Sequence, residues 1–244
     1  MAPSLLPTRL GLATVILVCV LTIIGTVTTV AQATPDSATW QAVAHPSLET
    51  RPAKGEIVID GDLDDAGWQG LNRAQNFVEH EPGDQTRPPV ETEVLFTYND
   101  EFLYVGFICY DNPNEVRATF TERDRIWDDD YVIPALDTFA DQGWAYEISA
   151  NPYGIQGDLL WSASSGEDMT YDLIYYSSGR ITEQGWQVEM AIPWRSLRFP
   201  DRNSQEWRVD FWRNRPRAVR GQYSWAKYDR DEPCWPCQWG TVTG

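Results

Sequence analysis

The chain has 244 residues, with apolar content sufficient for one large domain, and carries a formal net charge of −17. That acidity excludes nucleic acid as a partner, because phosphate backbones demand a basic footprint. Twelve tryptophans are more than a core of this size needs, and large rings also build flat ligand surfaces.

Arg9 is the only charged side chain before Asp36, and residues 10–30 are almost wholly apolar. The segment closes on Ala31-Gln32-Ala33, the small-x-small pattern read by signal peptidase. This predicts a signal peptide over residues 1–33 and export to the periplasm, the cell surface or the exterior. An uncleaved anchor is the alternative, since about 20 apolar residues can span a bilayer. Residues 34–54, with Pro35, Pro46 and Pro52 and no periodicity, read as a linker.

A domain is expected over 55–230. It opens on a short strand at Glu56-Ile57-Val58-Ile59, stopped by Asp60-Gly61, and a helical turn over 63–68 that buries Leu63 and Trp68. Residues 92–98 and 102–110 alternate with period two around Asn99-Asp100-Glu101, which predicts a tight hairpin. Val94, Phe96 and Tyr98 share a face of one strand, and Leu103, Val105 and Phe107 share a face of the other. A short helix follows from Pro113. Further strands are expected over 131–137, 144–150, 157–162, 171–177, 185–192, 206–213 and 223–227. A turn of helix is expected over 196–199. Nine or ten short strands with Gly, Pro, Asn and Asp between them argue an all-β sandwich of antiparallel strands with short helical turns. Residues 195–220 are the one basic region. Their arginines alternate with Trp207, Phe211 and Trp212 and read as the outer face of a strand.

Export makes disulfides available. Cys234-Trp235-Pro236-Cys237 has redox-site spacing but lies in a Pro-rich tail (231–244), where a small structural loop or a labile local disulfide is the better reading. Cys109, inside an apolar strand, reads as a buried thiol.

The order of landmarks resembles family 9 carbohydrate-binding modules. The residues that carry it are Ile57-Val58-Ile59-Asp60-Gly61 through Ala66-Gly67-Trp68, Thr92-Glu93-Val94 through Leu103-Tyr104-Val105-Gly106, Trp127 before Asp130-Tyr131-Val132, and Gly185-Trp186-Gln187-Val188-Glu189 through Ile192-Pro193-Trp194. Asn151-Pro152-Tyr153-Gly154-Ile155-Gln156-Gly157-Asp158 and Leu197-Arg198-Phe199 are similar to a subgroup that precedes bacterial outer-membrane β-barrels. The resemblance implies an immunoglobulin-like or jelly-roll sandwich, sugar binding without catalysis in the service of glycan breakdown, and structural calcium. It also implies a barrel as alternative partner, with an interaction domain that binds no sugar. In that subgroup the barrel begins about where the present tail lies.

Sugar binding needs an exposed ring for the C–H face of a hexose and fixed polar groups for its hydroxyls. Trp127 and Trp144 are the first candidates for stacking, followed by Trp161 and Trp194; Trp68 and Trp186 read as core. Arg123, Glu147, Asn151 and Gln156 are the candidates for hydroxyl recognition, with an Arg123–Glu147 surface ion pair as the alternative reading. Asp128, Asp129, Asp130 and Asp137 are candidate calcium ligands, with a solvated acidic loop as the alternative. No Gly-x-Ser-x-Gly elbow, His-Glu-x-x-His or phosphate loop is present, so the expectation is a binding protein rather than an enzyme.

Overall fold

A computed structural model describes residues 40–244. The expected signal peptide and residues 34–39 of the expected linker lie outside the described residues. The strands in chain order are β1 (Ser47–Glu49), β2 (Arg73–Ala74), β3 (Val78–Glu81), β4 (Thr92–Tyr98), β5 (Phe102–Tyr110), β6 (Tyr131–Asp137), β7 (Trp144–Ala150), β8 (Gln156–Ser162), β9 (Gly166–Asp168), β10 (Tyr176–Thr182), β11 (Gly185–Pro193), β12 (Glu206–Pro216), β13 (Arg220–Ser224) and β14 (Gly240–Thr243). They form a five-stranded sheet, β10-β11-β5-β4-β2, and a nine-stranded sheet, β1-β14-β12-β6-β7-β8-β9, in which β13 pairs with β12 and β3. All pairings are antiparallel except β1 with β14.

Period-two alternation decides what lies between the sheets. Val94, Phe96, Val105, Phe107, Val188 and Met190 of the small sheet meet Val132, Leu136, Ile148, Val209 and Phe211 of the large one in a single core. Phe211 sits between Phe96 and Phe107, with ring centroids 6.0 and 5.9 Å away. This is the expected all-β sandwich, and its helical content is short 3-10 turns at Ala66–Trp68, Pro113–Glu115, Trp194–Ser196 and Pro236–Gln238.

Four expectations need correction. Residues 56–59 join neither sheet; Ile57 and Ile59 instead pack beside Trp68 and Tyr104 on the outside of the small sheet. The strand expected over 171–177 is coil to Tyr175 and begins at Tyr176, because Leu173 and Tyr175 insert into the core from an unpaired backbone. The boundaries near 55 and 230 are too narrow, since β1 and β14 pair and place Leu48 and Val242 in the core. Arg213, read as outward, is fully buried on the inner face of β12.

Candidate functional site

The outer face of the nine-stranded sheet carries a groove of about 160 Å³. Register places its lining: Tyr131 opposite Asn214, Ile133 opposite Trp212, Ala135 opposite Glu147, and Trp161 between Ala145 and Glu167. Paired residues in an antiparallel ladder share a face, so all of these side chains stand on the solvent side. The concavity follows from size: the small Ala135 on β6 lies between Trp212 on β12 and Trp161 on β8. Trp235 stacks on Trp212 at 5.1 Å and 22° and remains 39 % exposed. It is presented by the four-residue loop that the Cys234–Cys237 disulfide closes. His80 meets Trp212, Tyr228 and Trp235 edge-on. Burial, then Arg230, lowers its pKa.

Glu147 projects into the groove, and burial, reinforced by Glu167, pushes its carboxyl up to about 8. Asp210, opposite Ala135 on the same face, is fully buried, accepting from Tyr228 Oη at 2.7 Å and from the Ala226 N–H at 2.8 Å. Burial pushes it up to about 7. Both groups hold protons more tightly in the folded than in the unfolded chain. Their stabilisation is complete below the ordinary carboxylate pKa and is lost as pH rises through about 7 to 8. With a discount for the partial exposure of Glu147, the expected loss from pH 5 to pH 8 is on the order of 2 kcal/mol, or roughly 4–8 °C in Tm. Thermal unfolding across that range checks it, and a Tm that rose towards pH 8 would contradict it.

Of the residues singled out in the sequence, Trp161 and Glu147 meet in this groove. Trp127 stands beside it, edge-on to Tyr131 at 5.4 Å and pressed against Gly157, where any Cβ would lie 3.2 Å from the indole. Trp144 is on the opposite face, with its ring 4.8 Å from that of Tyr146 at the rim of the core. Trp194 donates its Nε1–H to the Asn99 carbonyl and lines a separate cavity of about 460 Å³ at one end of the sandwich, with Phe96, Phe199 and Trp207.

The polar candidates are largely consumed by the fold. Asn151 is fully buried: its amide donates to the Thr119 carbonyl and to Asp129, and its Oδ1 accepts from the N–H groups of Tyr153 and Ile155. Gln156 donates to the Tyr175 carbonyl and Ser177 Oγ and accepts from Arg123. Arg123 pairs with Asp158 and lies over the Tyr175 ring, so the alternative Arg123–Glu147 ion pair is not formed.

The four candidate calcium ligands do not converge on one site. Asp128 is exposed beside Arg220. Asp129 accepts from the Thr119 N–H and Oγ1 and from Asn151, and Asp130 from the Arg117 N–H and Arg217. Asp137 caps the far end of β6, roughly 20 Å along the strand from Asp130, where it accepts from the Gln142 N–H. Asp124, Asp158 and Asp172 do come within 4.8 Å of one another. Their fit to calcium is poor, because Asp158 already accepts from Arg123 and from the Leu173 N–H.

Sequence reasoning missed Tyr131, Glu167, Trp212, Asn214, Gln222 and Trp235 of the groove. Trp235, an aromatic ring held between two cysteines, was the one local signal.

A family model described as carbohydrate family 9 binding domain-like matches residues 59–242. Among solved structures, a candidate carbohydrate-binding protein from Bacteroides uniformis superposes with a TM-score of 0.66 at 13 % identity, over 81 % of this chain and 98 % of that one. A family 9 carbohydrate-binding module from Caldicellulosiruptor kristjanssonii in complex with cellotriose gives 0.57 at 18 % identity, over 80 % and 92 %. A structure of a family 9 module from the same organism with glucose gives 0.51 at 18 % identity, over 80 % and 94 %. No curated protein matches the chain. At such identities the structural likenesses speak to the fold.

Proposed function

We propose, from the fact that this chain belongs to the carbohydrate family 9 binding domain-like family, that it is an exported module that binds oligo- or polysaccharide without transforming it. The observation that carries the reading is the groove, in which Trp161 and the stacked Trp212–Trp235 pair flank Ala135 and Ile133 beside Glu147, Asn214 and Gln222. Rings at van der Waals depth take the C–H face of a pyranose, and side-chain amides and carboxylates take its hydroxyls. Relatives in fold with cellotriose and with glucose bound make β-linked glucans the first ligands to offer.

Export rests on the apolar segment that ends at Ala31-Gln32-Ala33. The barrel-associated alternative rests on the stretch from Asn151 to Asp158 and on Leu197-Arg198-Phe199. The side chains of Asn151, Gln156 and Asp158 are bonded within the fold, and the aromatic groove makes sugar binding the stronger reading.

Titration of the protein with a panel of glucans, followed by tryptophan emission, tests the proposal. Saturable change with one sugar class is expected. Trp161→Ala is expected to weaken it by about 10-fold or more, the worth of one lost stacking ring. A flat response from folded protein across the panel overturns the reading. Release of reducing sugar on incubation would overturn its non-catalytic part.

A further inference from the structure

We propose that this groove selects sugars carrying a free amine, taking the ammonium of a hexosamine unit among Glu147, Glu167 and Asn214; this rests on the carbohydrate reading above. The groove has a surplus of hydrogen-bond acceptors, and Arg213, the one cationic residue of its lining among the described residues, is fully buried with its guanidinium bonded to Asp111. The side chain of Glu147, from β7, makes no hydrogen bond or ion pair among the described residues, and neither does that of Glu167, from β9, at the exposed rim. The buried Asn214 donates its amide N–H to the Asp129 carbonyl at 3.0 Å, and this leaves its Oδ1 without a partner. A carboxylate set among rings is costly unless it is paired.

The neighbouring cations are committed elsewhere. The Arg213 guanidinium points through the sheet to the inner side, where it bonds Asp111 and the Tyr110 carbonyl. Arg220 is tied to the Trp127 carbonyl and lies near Asp128. Hydroxyls can donate to these acceptors but bring no charge. A primary ammonium brings three donors and the compensating charge, and the faces of Trp161, Trp212 and Trp235 add cation–π attraction.

The groups around Glu147 are Glu167 from β9, Tyr131 from β6, and Asp210 from β12 with its partner Tyr228, while His80 lies edge-on to Trp212. None of them is a cation committed to the groove. In the empty groove a proton on Glu147 offsets the missing cation, and an arriving ammonium replaces it, so binding of an amino sugar releases a proton to solvent.

The test compares three trisaccharides of the same β-1,4 linkage, differing at C2 in hydroxyl, free amine or N-acetyl group, by calorimetry on the full chain near neutral pH. Buffers of different ionisation enthalpy read the proton count, and low and high salt read the charge term. The free-amine sugar is expected to bind about 10-fold more tightly than cellotriose, with proton release that cellotriose lacks and an advantage that shrinks in salt. Glu147→Gln is expected to bring the amine-to-hydroxyl affinity ratio close to one, and Glu167→Gln to reduce it. Cellotriose or the N-acetyl sugar binding as tightly as the amine overturns the inference alone, as does a preference that survives in both variants. Silence towards all three sugars overturns the carbohydrate reading and this inference with it.

Discussion

Asp111→Ala is expected to destabilise the protein by about 3–5 kcal/mol, among the largest losses for any single truncation here. The Asp111 carboxylate is buried at the end of β5 and gathers three guanidiniums: Arg213 at 2.9 Å, Arg215 at 2.7 Å and Arg217 at 2.8 Å. Arg215 adds a second bond at 2.9 Å to the other oxygen, and Arg217 continues to Asp130 at 2.8 Å. Burial alone would raise the Asp111 pKa, but the hydrogen bond from Arg215 and the field of the three arginines hold it below the ordinary carboxylate range. Arg213 is fully enclosed and also bonds the Glu91 and Tyr110 carbonyls. Removing the carboxylate therefore leaves a buried cation beside two others with their shared counter-charge gone, and repulsion adds to lost hydrogen bonds. Asp111→Asn, which keeps one acceptor oxygen and the shape, is expected to lose less. Urea midpoints of the two variants settle the matter, and a loss below about 1 kcal/mol for the alanine variant would show that the arginines find water instead.

The parts of this molecule that were legible in its sequence are those whose partners are close along the chain. The β4–β5 hairpin was readable because one alternation runs through Asn99-Asp100-Glu101 and back, and β11 because Trp186, Val188, Met190 and Ile192 fall on one face. β1 and β14 were not readable. Ser47-Leu48-Glu49 offers a single apolar residue, and its partner lies at the other end of the chain. The groove was half legible for a related reason. Alternation separates Glu147 from Tyr146 and Trp212 from Phe211, yet it does not say which set faces water. Trp144 and Arg213 were placed on the wrong side of their strands by that ambiguity, and a polar neighbourhood was taken for an exposed one. Asn151, Gln156 and Arg123 look like ligands for hydroxyls because amides and guanidiniums serve carbonyls equally well, and here backbone carbonyls claim them. Register across β6, β7, β8, β9 and β12 assembles the site, and no local pattern encodes register.

Glu189→Ala is expected to cost about 2–4 kcal/mol, and it explains why the Gly185-Trp186 strand carries an acid in its buried middle. Glu189 is fully buried on β11, on the outer face of the small sheet. One oxygen accepts the Trp68 Nε1–H at 2.7 Å; the other accepts the backbone N–H of Gly61 at 2.8 Å and of Asp60 at 3.1 Å. The two most distinctive sequence stretches, Asp60-Gly61 with Trp68 and the acid of the late strand, are thus two halves of one lock. It holds residues 57–68 on the sheet without any ladder bond to it. Burial pushes Glu189 up to about 7 against the pull of those three donors. Gly61 belongs to the lock through its conformation: φ is +96°, and a Cβ there would lie 3.1 Å from the Gly179 backbone. Without the carboxylate, the Trp68 indole and the Gly61 amide are stranded donors. Glu189→Gln is expected to recover only part of the loss, because its amide turns a donor towards donors. Limited proteolysis within residues 57–65, run beside a denaturant titration, distinguishes release of this segment from global loss. The groove lies on the other sheet, so affinity for sugar should survive in the folded fraction. A variant that kept residues 57–65 protected and lost sugar binding instead would show that the lock and the groove are coupled through the core.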